Sequence, residues 1–477
     1  MIQVKNFTKK ERRSIPRQLM TERHPKQRAK YFDEVTLGYS LKEAQFEAAR
    51  CIQCKDPACV AGCPVGIDIP GFLAQIVHND LEDAINTVWD STTLPAVCGR
   101  VCPQEIQCEQ VCVVRNDKKG NEAVGIGNLE MFIADWARNN NVKNKVTIAP
   151  STGKKVAVVG SGPAGITVAG DLAIKGHDVT IFEAFHKAGG VLLYGIPEFR
   201  LAKDIVQYEI EQLLDLGVKI EYNSVVGRTI DVDELTQEYG YDAVFIGVGA
   251  GLPNFLGIPG EDLTGVFSAN EYLTRANLMG AFNFPHYDTP IIPGKNVAIL
   301  GAGNVAMDAA RTALRLGAKS VKVIYRRTRD ESPSRQIELH HAEQEGVEFE
   351  FLTSPLEFIG ASDGKLAGIS CERMELGEPD EGGRRRPVPI KNSQCFIDCD
   401  LAIISIGTQA NPLLTNVTKG LKLNEWGNIQ ADPKTGKTTK DKVWAGGDIT
   451  LGQATVILAM GMGRDSATDI HKYLKTF

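Results

Sequence analysis

Apolar residues along this chain follow one rhythm before about residue 150 and another after it. In the first part they recur every three or four positions: Leu41, Ala44, Phe46 and Ala48, then Phe72, Ile76, Leu81, Ile85 and Val88 within Ile69 to Trp89. A further helix begins at Val124-Gly-Ile-Gly-Asn-Leu-Glu-Met-Phe. That spacing predicts a helical N-terminal domain. The polar, turn-rich run Asn139 to Gly153 reads as a linker out of it. Beyond it come short apolar runs that end on glycine: Lys155 to Gly160, Asp242 to Gly247 and Asn296 to Gly301. These read as buried strands, two of them followed by a helix and a second strand (Val179 to Glu183, Ser320 to Arg327), the βαβ pattern of a parallel sheet. Phe349 to Leu356 and Leu366 to Met374 alternate like strands, and Glu378 to Arg386 reads as a polar loop. The expected fold class is therefore α/β behind an α-helical leading domain.

The glycines after the first strand are spaced for a phosphate. In Gly160-Ser-Gly162-Pro163-Ala164-Gly165 the first glycine permits the tight turn and the second lets backbone approach a pyrophosphate. The third packs helix on strand, and the helix starting near Pro163 presents its N-terminal N–H groups. Glu183, 23 residues after Gly160, is placed to accept hydrogen bonds from a ribose. Gly189-Gly190-Val191 suits backbone passing a flat ligand, and Arg200 is a candidate counter-charge for its phosphates; Val226 joins the same set. Near the end, Gly446-Gly447-Asp448 places an acid behind two glycines, where it can reach a polyol. Thr455 opens a helix whose N-terminus can stabilise negative charge on a reduced flavin.

A second glycine turn, Gly301-Ala-Gly303-Asn304-Val305-Ala306, carries Arg326 where the first unit carries Glu183, with Arg327 beside it. Arginine there favours a 2′-phosphate over a free hydroxyl, so this site is expected to prefer NADP(H). Arg335 is a further candidate, while the Arg384–Arg386 run and the His340-His341 pair read as solvated surface. Two Rossmann-like units with a Gly-Asp element after the second imply an FAD-binding domain (151–286 and 407–477) interrupted by an NADP(H)-binding domain (287–406). Residues 1–150 form the helical domain.

Composition is that of an ordinary globular chain, 43% hydrophobic and 23% charged with a net charge of −6, and gives no case for nucleic acid. No apolar run reaches the length of a membrane span and no signal peptide is recognisable, so a cytoplasmic location is expected. Charge is uneven: Lys5 to Lys30 holds ten Lys/Arg against Glu11 and Glu22. It reads as a solvated leader or as an arm that grips an acidic partner or neighbouring subunit.

Eight of the eleven cysteines lie between Cys51 and Cys112. Structural zinc usually draws on separated CxxC pairs, and only one CxxC occurs. Short-spaced thiolates ending in Cys63-Pro64 instead suggest two [4Fe-4S] clusters in an iron–sulfur domain. By the crossing rule of such motifs Cys51, Cys54 and Cys59 hold one cluster, and Cys63 joins Cys102, Cys108 and Cys112 around the other. The first then lacks a ligand, for which Cys98 and Glu130 both qualify. Cys371, Cys395 and Cys399 have no companion set and are expected to pack as small apolar groups.

With these motifs assembled, the chain from about Tyr31 to Tyr473 resembles the glutamate synthase small-subunit family. This group includes the large subunit of NADH-dependent reduced ferredoxin:NADP oxidoreductase (Nfn) and the N-terminal half of dihydropyrimidine dehydrogenase. Ala61-Gly-Cys-Pro-Val-Gly-Ile-Asp-Ile-Pro70 and Ala454-Thr-Val-Ile-Leu-Ala-Met-Gly461 are most similar to Nfn large subunits and archaeal self-associating homologues. The resemblance implies FAD on Gly160 to Gly165, Glu183, Arg200 and Asp448. It implies NADP(H) on Gly303 to Val305 with Arg326 and Arg327, and it moves the first cluster's fourth ligand to Glu130. The implied chemistry is hydride exchange between NADP(H) and FAD, with single electrons leaving through the Glu130 cluster and then the Cys63 cluster.

The partner implied is a small flavoprotein or iron–sulfur subunit or ferredoxin, in an enzyme of the bifurcating or the non-bifurcating kind. Alternatively the chain is the NADPH-oxidising half of glutamate synthase beside a large subunit, because Met1-Ile2 offers no nucleophilic cysteine and no length remains for an FMN barrel. A self-sufficient homo-oligomer reducing sulfur compounds or dyes is a third reading. A redox-silent cluster scaffold or nucleotide sensor, of another class, would not need two clusters and two nucleotide sites in line.

Overall fold

The computed structural model describes residues 7–115, 120–379, 383 and 385–476. The leading unit contains α1 (Leu41–Ala49), α2 (Ile69–His78), α3 (Leu81–Trp89), α4 (Pro95–Val101) and α5 (Ile126–Asn139). Ser40 starts α1 through a reciprocal cap with Glu43. The periodic stretch 69–89 is two helices rather than one: Asn79 adopts φ 66° and closes α2, so the chain reverses before α3. The expected stripe survives the break, with Phe72, Ile76, Ile85 and Val88 all fully buried.

The next unit runs β1 (Lys155–Val159), α6 (Pro163–Ile174), β2 (Asp178–Phe182), α7 (Lys203–Asp215), β3 (Lys219–Glu221) and β4 (Ala243–Ile246), all strand pairs being parallel. A third unit follows: β5 (Val266–Ser268), α8 (Ala269–Ala276), β6 (Asn296–Leu300), α9 (Asn304–Arg315), β7 (Ser320–Tyr325), α10 (Gln336–Glu345) and β8 (Glu348–Phe351). It continues with antiparallel β9 (Thr353–Gly360), β10 (Leu366–Pro379), β11 (Arg385–Pro389) and β12 (Cys395–Asp398), then β13 (Leu401–Ile404). Its parallel sheet has the order β5–β13–β6–β7–β8. The chain then returns to the second unit. β14 (Val443–Ala445) adds to β4, giving the order β14–β4–β1–β2–β3, and α11 (Val456–Leu474) lies across α6.

The nucleotide unit is thus interrupted, as the sequence pattern predicts, but the interruption starts earlier than residue 287. β5 pairs with β13, and Ala269 and Tyr272 of α8 are buried in the third unit's core. A three-residue strand is too short to show a period, so the pattern hid it. The two crossings pair with each other as a small ribbon, Leu252–Pro253 against Thr408–Gln409. Two further elements differ from expectation. Phe349 to Leu356 is divided between β8 and β9 by Leu352 at φ 52°, and both ends of the expected loop Glu378 to Arg386 are strand, since β10 runs to Pro379 and β11 begins at Arg385. Arg384 and residues 1–6 lie outside the described residues.

One hydrophobic core joins the helical unit to the flavin-type unit: Ile76, Val97 and Leu129 belong to the same cluster as Val158, Leu172 and Met460. The described part of the basic arm is not solvated along its whole length. Arg12 donates to the Cys51 carbonyl at 2.9 Å, Arg17 pairs with Glu109 at 2.9 Å, and Arg28, 1% exposed, pairs with Glu345 of α10 at 3.0 Å. His341, expected at the surface, is buried against Glu22 of the arm at 3.0 Å, whereas His340 is exposed. No described helix is long and apolar enough to cross a membrane.

Candidate cofactor cavity and cysteine sets

The first glycine turn has two closely packed glycines and an open one between them. Gly160 has φ 97°, and a Cβ on it would lie 2.7 Å from the Gly247 carbonyl oxygen. A Cβ on Gly165 would lie 2.0 Å from the Gly160 carbonyl oxygen, so only glycine lets α6 sit this close to β1. Gly162 has nothing within 4 Å of that position and leaves its backbone open. Glu183 is buried; one carboxylate oxygen accepts the Ser161 N–H at 2.9 Å and the Ser161 hydroxyl, the other the Phe185 N–H at 2.8 Å. A carboxylate has about four acceptor positions, so room remains for a ligand hydroxyl.

All of these residues except Gly165, which is a packing glycine, border a cavity of about 800 Å³. Gly160, Gly162, Pro163, Ala164, Glu183, Gly190, Val191, Arg200, Val226, Gly447, Asp448 and Thr455 all line it, together with Asn304 and Val305 of the second glycine turn. Burial pushes the Asp448 carboxyl up to about 6, and its carboxylate accepts the Ala454 N–H at 3.2 Å. Thr455 caps α11, so the N-terminal end of a 19-residue helix faces the cavity. Among the contributors that pattern reading missed are three: the segment Val101, Pro103, Glu105 and Ile106 from the cysteine unit, Asn270 of α8, and Ser332 to Ser334 with Gln336 on either side of the expected Arg335. All three arrive from other units, and only Ser332-Pro-Ser334 carries a local signal, a turn ahead of α10.

Arg200 departs from its expected role. Its guanidinium is bound to Asp308 at 2.7 Å and to Glu338 at 3.1 Å, so two carboxylates already neutralise the charge offered to a phosphate. Arg335 is likewise spent, on Glu105 at 2.8 Å and Gln104 at 2.9 Å, and ties the third unit to the cysteine unit. Gly301 and Gly303 do not border the cavity. A Cβ on Gly301, at φ 123°, would meet the Ser405 carbonyl oxygen at 2.2 Å, which marks it as a packing glycine. Arg326 and Arg327 also lie outside the cavity, at the end of β7. Arg326 is exposed and makes no ion pair among the described residues, while Arg327 donates to the Arg385 carbonyl at 2.9 Å.

The eleven cysteines are all free thiols, and the eight early ones divide differently from the crossing rule. Cys51 interacts electrostatically with Cys54 and Cys112, and Cys59 with Cys51, Cys54 and Cys112. The Glu130 carboxyl instead acts on Cys63, Cys102 and Cys108, and Cys63 also acts on Cys108. By these neighbours Cys112 groups with Cys51, Cys54 and Cys59, and Glu130 with Cys63, Cys102 and Cys108, the reverse of the expected placing. The reason is spatial, because α5 carries Glu130 back against α4 and its Cys102 end while the turn after Cys108 returns Cys112 to the first loop. Glu130 is 5% exposed and its Oε1 has no hydrogen-bond partner, the state of an acceptor shaped for a positive ligand. Cys98 is fully buried and donates to the Met460 sulfur at 3.7 Å. Burial pushes the Cys51 thiol up to about 11 and Cys59 up to about 12, so loading metal on these thiols releases protons. Among the described residues no three such side chains converge tightly enough for a single ion; a cubane takes its thiolates from further apart.

Residues 154–463 match the pyridine nucleotide-disulphide oxidoreductase family. The chain belongs to that family. Residues 28–142 match a second one, described as dihydropyrimidine dehydrogenase domain II, 4Fe-4S cluster. Glutamate synthase [NADPH] small chains match this chain at 36–37% identity over nearly their whole length, so it is an iron–sulfur flavoprotein oxidoreductase that uses NADP(H), within the glutamate synthase small-subunit-like group. The Azospirillum brasilense glutamate synthase [NADPH] small chain is 36% identical over 96% of this chain and 95% of its own. The beta subunit of the Moorella thermoacetica NADP(+)-dependent formate dehydrogenase is 38% identical over 87% of this chain, which spans 60% of that relative's length. Mycobacterium tuberculosis FprA, solved in complex with NADPH, shares the fold with a TM-score of 0.57 at 22% identity, covering 69% of this chain and 85% of that one.

Proposed function

We propose that the chain is a subunit that passes electrons between NADP(H) and a protein partner, holding FAD and two [4Fe-4S] clusters in line. One observation carries this reading: a single cavity is bordered by both glycine turns and by the Val101–Ile106 segment that flanks Cys102. FAD, when bound, supplies the exchange between a two-electron hydride and single electrons.

The residues then have separate tasks. The open backbone at Gly162 and the start of α6 hold the pyrophosphate, Glu183 the ribose, and Asp448 the polyol. The capped end of α11 favours negative charge on the isoalloxazine ring. Asn304 and Val305 position the nicotinamide nucleotide, with Arg326 and Arg327 as its 2′-phosphate ligands. Cys63, Cys102, Cys108 and Glu130 hold the cluster beside the cavity. Cys51, Cys54, Cys59 and Cys112 hold the outer one, whose half-exposed Cys54, Cys59 and Cys112 suit transfer to a partner. No side chain is asked to serve as acid or base. Anaerobic NADPH should bleach the flavin absorbance of the purified protein near neutral pH; an unchanged band removes the proposal.

For the partner we favour the Nfn type, a small flavoprotein subunit with ferredoxin, on the strength of the 61–70 and 454–461 segments. The near full-length match to glutamate synthase small chains supports the second reading. Affinity purification from the native host separates them, since recovery of a large amidotransferase subunit excludes the first.

A further inference from the structure

The three late cysteines take no part in the proposed electron path, yet two of them are placed for chemistry with each other. In the antiparallel pairing of β10 with β12, Cys371 stands directly opposite Cys395, two residues along from Ile369 opposite Ile397. The period of two sends both cysteines to the same face as that isoleucine pair. Ile369, Cys371 and Ile397 are buried in one core and Cys395 packs against it, whereas Phe396, one position on, is 59% exposed on the opposite face. Directly opposed residues of an antiparallel pair have Cα atoms about 4.5–5.5 Å apart, inside the roughly 4.4–6.8 Å span of disulfides.

Access is one-sided. Cys371 is fully buried, and burial pushes its thiol up to about 12. Cys395 is half-buried and borders a second cavity, of about 270 Å³, with Arg373, Lys322, Glu350 and Asp398. The Arg373 guanidinium stands close enough to both sulfurs to interact with them electrostatically.

We propose that Cys371 and Cys395 form a cross-strand dithiol that low-molecular-weight disulfides oxidise reversibly. The Cys395 thiolate attacks one sulfur of the small disulfide, whose S–S bond breaks and releases one thiolate with the electron pair. The Cys371 sulfur, losing its proton, attacks Cys395 and releases the second. Two cysteines lose two electrons, one small disulfide gains them, and the two protons end on the two small thiols. The bond closes the segment 371–395, which carries the Arg385 carbonyl that holds Arg327.

The test is anaerobic exposure of the cluster-loaded protein to oxidised glutathione, followed by alkylation, digestion and mass spectrometry without reduction. The expected product is a Cys371–Cys395 cross-linked peptide pair, reversed by dithiothreitol. Cys371→Ser should instead accumulate glutathione on Cys395, and Cys399→Ser should leave the cross-link yield unchanged. Recovery of both cysteines alkylated, a stable glutathione adduct on wild-type Cys395, or a bond to Cys399 instead overturns the proposal.

Discussion

Single residues decide which nucleotide and which cluster the protein holds. Arg326 is exposed at the tip of β7 with no competing ion pair among the described residues, so its charge is available to a 2′-phosphate. Arg326→Glu should weaken NADPH binding by roughly 100-fold or more, the scale of losing a charge-assisted contact and adding a repulsive one, and leave NADH within a few-fold. Equal losses in titrations with both nucleotides would place the phosphate elsewhere. Glu130 and Cys98 are both buried beside Cys102, but only Glu130 carries an unsatisfied atom. Glu130→Ala should change the electron paramagnetic resonance spectrum and iron content of one cluster, and Cys98→Ala should leave both clusters in place. The Cys112–Glu130 exchange was not legible beforehand, because spacing reports chain distance while ligation depends on how α5 folds back.

At the scale of elements, the glycine turns are rigid parts of the fold as well as ligand sites. With the Gly160 carbonyl 2.0 Å from any Cβ on Gly165, Gly165→Val must push α6 off β1. Overpacking of this kind costs about 1–3 kcal/mol, several degrees of melting temperature, and here it should also release FAD. Ultrafiltration followed by absorbance of retained flavin checks it; retention at wild-type levels would show that the turn tolerates the shift. Strands and helices of this kind were readable because buried runs and 3.6-residue stripes are local. β5, three residues long, and the split at Leu352 were not, since each is set by a partner strand remote in sequence.

At the scale of the molecule, a buried ionic network fastens the third unit to the rest. Arg311 and Arg315 bind Glu345, Arg311 and Arg200 bind Glu338, and Arg28 of the arm reaches Glu345. Burial alone would raise both carboxyls, but hydrogen bonds from Arg315 and the charge of Arg311 hold Glu345 down at about 2, and the charges of Arg200 and Arg311 hold Glu338 there too. A depressed folded pKa gives stability that is present above the ordinary carboxylate value of 4.5 and is lost as pH falls towards 2. Glu345→Gln, which leaves buried arginines short of a partner, should cost about 3–5 kcal/mol at pH 7 and progressively less below pH 4.5. Melting curves across that range test it; a pH-independent gap would mean the network is not ionic. What the chain determined by itself was local: the two glycine turns, the acid and arginine that distinguish their nucleotides, the cysteine inventory and the helical stripes, all of which follow from neighbouring residues and backbone geometry. Only the tertiary structure decided which cysteines are neighbours, that Arg200, Arg17 and Arg28 serve internal carboxylates, and that one cavity joins both nucleotide turns to the segment beside Cys102. Each of those depends on groups tens to hundreds of residues apart, and a buried charge takes whichever partner the packing brings to it.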